Sequence, residues 1–241
     1  MYRFTYPAEK FDENNLDKSI ILTLVHKHEG MVARLVKNYE YYKGHHKIDA
    51  RKRDEKAPNN KVSCNHAKDI SDTATGYFMG NPITYSNTGD QDIEPLLDAF
   101  DAANVDDVDA DLALDMSIFG SAYEYVYIKQ GEAVVTSKAV SPISTFIIVD
   151  DTIEENELAG VYYYKKKNSA KDTYTYVATV STANFTYVLN INDSTSDISQ
   201  AVTEVPEKHF FGEPQIIEYL NNKEGIGDFE QQIPLIDAYD T

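Results

Sequence analysis

The spacing of apolar residues separates a helical first half of the chain from a strand-rich second half. Between Asn14 and Tyr42, apolar side chains recur three or four positions apart, which predicts one long helix of about 28 residues. Gly30 lies inside this run and indicates either a kink or a break into two helices. Gly44 follows the run and is a typical helix stop.

The stretch Asn59–Tyr85 has the densest local signals. Asn65 is predicted to cap a helix, because its side-chain oxygen can accept a free N–H of the first turn. The helix is predicted to stop at Gly80, which can adopt a left-handed conformation, and Pro82 prevents it from continuing. Ile83–Tyr85 is then predicted as a strand. We expect the stretch to brace the long helix against the sheet. Its predicted apolar face consists of Ala67, Ile70, Ala74, Tyr77 and Phe78.

Two more helices and a run of strands complete the pattern. The helices are predicted at Asp92–Ala103 and Val105–Phe119, and Gly120 stops the second. From Ser121 the apolar period changes to two, with a hairpin turn at Gln130–Gly131. The later strands are predicted at Ala133–Val140, Thr145–Val149 (continuously apolar and so covered on both faces), Leu158–Lys166, Tyr174–Val180, Phe185–Ile191 and Gln215–Leu220. The fold class is therefore α+β, with helices packed on an antiparallel, Tyr-rich meander.

The two ends of the chain are predicted to differ from its middle. Residues 1–13 are aromatic and irregular and are expected to form a flexible arm. Residues 14–225 are expected to form the α+β domain. Asp228 can cap a final helix that has no stop signal before Thr241, so residues 226–241 read as an element cut before its end.

The charge of the chain is strongly negative and unevenly distributed. The net charge is −18. Residues 1–86 carry 14 basic and 11 acidic side chains, whereas residues 87–160 carry 2 basic and 17 acidic ones. This middle third would repel a duplex, which argues against tight binding that follows the phosphates and is compatible with DNA passing nearby. The single cysteine excludes an intrachain disulfide framework and fits a reducing compartment, and neither a signal peptide nor a membrane span is predicted.

Two patterns imitate reactive sites and are better explained structurally. The acidic run Asp107–Asp111 resembles the start of a calcium loop, but Leu112 and Ile118 stand where that loop requires Gly and Glu. We interpret the run as charges suited to a helix N-terminus. Cys64 and His66 could form a thiol–base pair, yet no third orienting group is recognisable.

No catalytic, cofactor-binding or metal-binding residue is predicted. Histidines two apart on a helix point to different sides, and a structural zinc site needs four close ligands. The Gly225–Gly227 pair lacks the third glycine of a dinucleotide loop, since Glu230 stands there. A basic cluster is either a solvated loop or a contact to phosphate or to an acidic neighbouring subunit. The histidines are His26, His28, His45 and His46, and the cluster is Arg51, Lys52, Arg53 and Lys56.

Four short pieces, in a fixed order along nearly the whole chain, carry a family resemblance. They are Tyr41–Ile48 (YYKGHHKI), Asn59–Val62 with Gly76–Ile83, Phe119–Glu124 with Val140–Pro142, and Glu218–Asn222 with Gly227–Glu230 and Leu235–Asp240. Together they resemble the portal (connector) proteins of tailed bacteriophages, in the branch common among phages of Gram-positive hosts.

The resemblance implies a structural function and no enzymatic activity or cofactor. Portal proteins form a ring, usually a dodecamer, at one capsid vertex of the virion, after assembly in the host cytoplasm from phage or prophage genes. DNA driven by a separate terminase passes through the ring without sequence specificity, and the tail attaches there. The implied fold is the portal wing, and the implied partners are other copies, capsid and scaffolding proteins, with no membrane.

The resemblance also implies which parts of a portal this chain lacks. Residues 226–241 would be the start of a stem helix, and the rest of the stem, the clip and the crown would follow residue 241. Contacts to terminase and to the head–tail adaptor are therefore expected outside this fragment, which by itself should be a monomer or weak oligomer. One alternative is an acidic, metal-dependent phage or prophage hydrolase, supported only by the carboxylate count. Another is a generic acidic interaction domain.

Overall fold

A computed structural model describes residues 2–53, 59–89, 92–129, 134–167, 174–192 and 205–240. The helices are α1 (Lys18–Met31), α2 (Ala33–Tyr42), α3 (His66–Phe78), α4 (Glu94–Ala103), α5 (Val105–Phe119) and α6 (Ile233–Tyr239). The strands are β1 (Arg3–Thr5), β2 (Ser121–Ile128), β3 (Val135–Val140), β4 (Thr145–Val149), β5 (Glu157–Lys167), β6 (Tyr174–Ser181), β7 (Phe185–Asn192), β8 (Glu207–Lys208) and β9 (Ile216–Leu220). The predicted α+β class is confirmed. The predicted hairpin turn Gln130–Gly131 lies outside the described residues.

The strands form two sheets. Sheet A has the order β1-β4-β5-β6-β7-β8, and its centre, from β4 to β7, is the predicted antiparallel meander. Sheet B has the order β3-β2-β9, in which β9 pairs antiparallel with β2. The helices α1 and α2 lie with the main core of sheet A, while α4 and α5 pack against β3 of sheet B.

Strand β4 connects the two cores. All five of its residues are buried, as the continuous apolar run predicts. Phe146 and Ile148 belong to the main core, whereas Ile147 and Val149 belong to a second core with residues of β2 and β9. The two faces of one strand therefore serve two separate apolar clusters.

The N-terminal residues include a strand, not only an irregular arm. Arg3–Thr5 pairs parallel with β4, and Tyr2 and Phe4 are 5% and 3% exposed. The Phe4 ring packs edge-on against Phe146, with ring centres 5.1 Å apart. Alternating aromatic residues at positions 2, 4 and 6 have the strand period, which explains why this short segment adds to the sheet. The predicted division of the chain into domains stays a prediction.

The long N-terminal run is two helices. Val32 separates α1 from α2 and has φ −75° and ψ −3°, outside regular helical values for ψ. Of the two outcomes that Gly30 indicated, the break is the observed one. The first helix begins later than predicted, because Asp17 accepts a hydrogen bond from the Ser19 N–H and acts as its N-cap.

Within Asn59–Tyr85 the cap is confirmed and several other features differ. The Asn65 side chain accepts from the Lys68 N–H, as predicted. Residues Ile83–Tyr85 are not a strand, and Gly80 is not left-handed. A Cβ at Gly80 would lie 2.2 Å from the Gly76 carbonyl oxygen, so lack of space is what requires glycine. Helix α3 packs against α2, α5 and α6 instead of linking the long helix to the sheet.

Candidate assembly site

The end of α5 is enclosed by the loop that follows β9. Gly120 ends the helix at φ 84°, and a Cβ there would lie 2.2 Å from the Gly225 carbonyl oxygen. The Asn221 N–H donates to the Gly120 carbonyl at 3.0 Å. The Asp228 N–H donates to the Ser117 carbonyl at 2.8 Å, which satisfies one of the last carbonyls of the helix. We call this contact between the end of α5 and residues 221–230 the corner joint.

Helix α2 binds the corner joint through one carboxylate. The guanidinium of Arg34 lies 2.7 Å from Glu230 Oε2, and the buried Asn38 amide donates to the same oxygen at 3.0 Å. The Asn38 amide also donates to the Ile118 carbonyl, and Arg34 donates to the Gly225 carbonyl. Glu230, which stands where a dinucleotide loop needs glycine, therefore has a structural contact in this fold.

A second joint holds α6 against the turn after α2. The Tyr41 hydroxyl donates to Asp237 Oδ1 at 2.6 Å, and His46 Nδ1 lies 2.8 Å from Asp240 Oδ2. The His46 and Tyr41 rings stack, with centres 5.0 Å apart. Burial, followed by the Asp237 contact, raises the pKa of Tyr41 to about 12. We call this contact the terminal joint.

Several of the pieces that carry the family resemblance are brought together by these joints. Phe119–Glu124 meets Glu218–Asn222 and Gly227–Glu230 at the corner joint, and Tyr41–Ile48 meets Leu235–Asp240 at the terminal joint. Glycines allow close backbone approach at the corner joint, and the side chains of Asn38, Tyr41 and His46 each make a hydrogen bond across a joint. The sequence signals thus locate positions that fix the fold.

The residues considered for chemistry do not converge. Cys64 is exposed, and its backbone N–H donates to Asp240 Oδ1 at 3.2 Å. His66 lies 4.0 Å from Asp69 on the same helix and contacts the Tyr239 ring. The four other candidate histidines have four separate surroundings: His26 against Tyr176, His28 against Tyr163, His45 against Glu40 and His46 against Asp240.

The acidic residues lie along helices instead of in a metal loop. Asp107, Asp109 and Asp111 are all part of α5. Burial, with Asp111 as a smaller cause, raises the pKa of Asp115 to about 7. Within the described residues, no group of three or more His, Cys, Asp or Glu side chains could hold a metal ion, as the hydrolase alternative would require.

An apolar groove lies between α3 and α6. Its volume is about 780 Å³. Beyond the α3 end of the groove, Tyr77 and Phe78 are 94% and 67% exposed, although their spacing predicted a buried face. We call this cavity the α3–α6 groove. It is lined by His66, Asp69, Ile70, Thr73, Ala74, Gln232, Leu235, Ile236 and Tyr239.

A second exposed apolar surface is centred on α4. No residue of this helix is buried within the described chain. The Tyr85 and Phe100 rings are 4.9 Å apart, and Leu96, one helical turn from Phe100, is 48% exposed. We call the surface formed by Tyr85, Leu96 and Phe100 the α4 ridge.

The residues that carry the resemblance build two joints, and exposed apolar residues form two surfaces. The family described as phage portal protein, SPP1 Gp6-like, matches residues 21–241. The chain therefore belongs to this family of tailed-phage portal proteins, which is structural and non-enzymatic, in agreement with the resemblance to portals of Gram-positive-host phages. None of the curated proteins compared with it matches the chain. No helix in the described ranges has the length and apolar character of a membrane span.

Proposed function

We propose that this chain is a subunit of the portal ring at one vertex of a phage capsid. The ring would be the passage through which DNA is packaged and ejected, and the place where the tail attaches. The family match over residues 21–241 carries this proposal. Other copies of the chain are its first partners, and capsid and scaffolding proteins contact the outside of the ring.

The charge distribution supports a passage that DNA crosses without sticking. Helices α4 and α5 contain no Lys or Arg, and they carry 8 of the 17 carboxylates of the acidic middle third. Tight binding to DNA requires that cations neutralise phosphates. A surface of this sign would keep the affinity for the duplex low while DNA moves past it.

Electron microscopy of the product of the complete reading frame tests the proposal. We expect closed rings with a central hole, and a single dominant symmetry among end-on views. The same preparation should show no salt-resistant binding to duplex DNA. Monomers that persist across protein concentration and salt would contradict the portal-ring function.

A further inference from the structure

We propose that the α4 ridge of one subunit docks into the α3–α6 groove of the next subunit. This inference rests on the portal-ring function proposed above, and it names the two surfaces that make the lateral contact. A ring built by repeated rotation needs head-to-tail contacts, in which two different patches of the same chain are complementary. The ridge and the groove are two such patches.

The ridge has the character of a surface that is covered in an assembly. Helix α4 has only 10 residues, and helices this short depend on packing for their stability. It packs on α5 and β3 with one side, yet none of its residues is buried within the described chain. Leu96 is 48% exposed and Tyr85 is 42% exposed. Both lie next to Phe100, Leu96 one helical turn before it and Tyr85 with its ring 4.9 Å away. Covering them would remove apolar surface from water.

The groove offers the complementary shape and chemistry. Ile70 and Ala74 from α3 face Leu235 and Tyr239 from α6 across a space of about 780 Å³, which is large enough for several apolar side chains. The described part of the same chain leaves this space open. Asp69 also lines the groove, but its side chain is 81% exposed and can stay in water at the rim.

Charge selects another copy of this chain as the occupant. The α4 segment from Asp92 to Ala103 carries four carboxylates and no basic residue. Asp106, Asp109 and Glu124 add to the negative potential there, since together with burial they raise the pKa of Tyr85. A partner for this ridge should therefore combine an apolar surface with nearby positive charge.

Basic segments of the chain are attached to one end of the groove through Asp240, the residue after Tyr239. Tyr239 lines the groove, and next to it Asp240 accepts from the Cys64 N–H and contacts His46. The segments that flank those contacts are basic and are tied together, because Lys61 donates to the Asp49 carbonyl. The exposed cations of the described segments 47–53 and 59–61 are Lys47, Lys52, Arg53 and Lys61. One of the alternatives for the basic cluster was a contact to an acidic neighbouring subunit. On this inference, that contact lies beside the groove.

Two single substitutions test the contact on the chain itself. Leu96→Glu changes the ridge and Leu235→Glu changes the groove, and both positions are about half exposed, so the fold should be retained. Sedimentation velocity over a concentration series should show weak self-association of the wild type. Each substitution should lower the association constant at least about tenfold, because it places a carboxylate in an apolar contact. Val188→Glu, at an equally exposed position on β7, is the matched control and should associate like the wild type.

Mixing the two variants is the decisive step. The Leu96→Glu chain keeps an intact groove and the Leu235→Glu chain keeps an intact ridge, so an equimolar mixture should form a one-to-one dimer and stop there. A symmetric contact between two identical grooves would leave Leu96→Glu unaffected, and that result would overturn the inference. So would a mixture that stays monomeric, or a wild type that does not associate at any concentration.

Failure of the proposed lateral contact can be distinguished from failure of the proposed portal-ring function. If the complete product forms rings and the ridge and groove variants of this chain behave like the wild type, the lateral contact is wrong and the ring proposal stands. If the complete product forms no rings, the ring proposal itself fails. Circular dichroism and thermal melting of each variant establish that the fold is intact in every comparison.

Discussion

His46 Nδ1 lies 2.8 Å from Asp240 Oδ2, and both side chains are almost completely shielded from water. The pair joins residues that are far apart in the sequence, and it fixes the end of α6 to the turn that follows α2. Removal of one partner from a buried hydrogen-bonded pair leaves the other polar group unsatisfied, which costs more than the pair itself contributes. The terminal joint should therefore be sensitive to loss of either residue.

His46→Ala should destabilise the fold by about 3 kcal/mol, since the Asp240 carboxylate would stay buried with less compensation. Urea unfolding at constant pH measures the change. His45→Ala is the matched control, because His45 contacts Glu40 at 2.6 Å but its side chain is 63% exposed. An exposed pair contributes little, so this variant should unfold within about 1 kcal/mol of the wild type. Equal losses for the two variants would contradict a special role of the terminal joint.

His28 should make stability depend on pH below neutrality. It is fully buried between aromatic rings, with Nδ1 2.8 Å from the Tyr163 hydroxyl, and burial lowers its pKa to about 4 although the nearby Glu29 opposes the shift. Between the ordinary pKa of histidine and this value, the unfolded state binds the proton and the folded state does not. Stability is therefore lost as the pH falls from about 6.5 towards 4, by on the order of 3 kcal/mol.

The contribution of His28 can be separated by substitution. His28→Phe removes the titrating group and keeps an aromatic side chain, so the free energy of unfolding of the variant relative to the wild type should rise as the pH is lowered from 7 to 4. The lost contact to Tyr163 is independent of pH over this window and changes only the offset. Parallel stability curves for the two proteins would show that His28 is not the source.

Asp115 should have the opposite relation to pH. Burial raises its pKa to about 7, so the folded state retains a proton that the unfolded state has already lost. Stability should then fall as the pH rises from about 4 to 7. Asp115→Asn removes this cost and should raise the melting temperature at pH 8 but not at pH 4. Asp101→Asn, at an exposed position on α4, should change neither value much.

Alanine should change the stability in opposite directions at Gly30, inside α1, and at Gly80, just after α3. At Gly80 a Cβ would lie 2.2 Å from the Gly76 carbonyl oxygen, and we expect Gly80→Ala to destabilise by about 1–3 kcal/mol. At Gly30, inside α1, a Cβ would have no heavy atom of the described chain within 4 Å apart from its own helix backbone and its two chain neighbours. Gly30→Ala should therefore stabilise by about 1 kcal/mol through helix propensity alone. Melting temperatures of the two variants on the same side of the wild type would contradict this explanation.

Elements with a strong local pattern could be predicted from the sequence, whereas distant pairings could not. Helix α5 and strand β4 have the predicted bounds, because their apolar periods and Gly120 are local signals. The pairing of β9 with β2, and of β1 with β4, joins segments that are far apart in the chain, and period alone does not select a partner. Strand β1, in a segment predicted to be irregular, was missed for that reason.

The candidate site could not be predicted from the sequence, because its contacts also join segments that are far apart in the chain. The resemblance identified Tyr41–Ile48 and Leu235–Asp240 as important pieces, but their shared role, the buried contacts of the terminal joint, depends on the fold. Tyr77 and Leu96 continue helical apolar stripes, and a stripe looks the same whether its own chain or a neighbour covers it. Only the structure shows that the described part of the chain leaves the side chains of Tyr77 and Leu96 exposed.

The burial of β4 on both faces has a consequence for how the molecule unfolds. Because Phe146 and Ile147 point into different cores, neither core can lose its packing while the strand between them stays in place. We therefore expect the two sheets to unfold as one cooperative unit, so that the backbone amides of β4 exchange with solvent only through global unfolding. We therefore expect a load applied at one sheet to reach the other without an intermediate in which one sheet opens first.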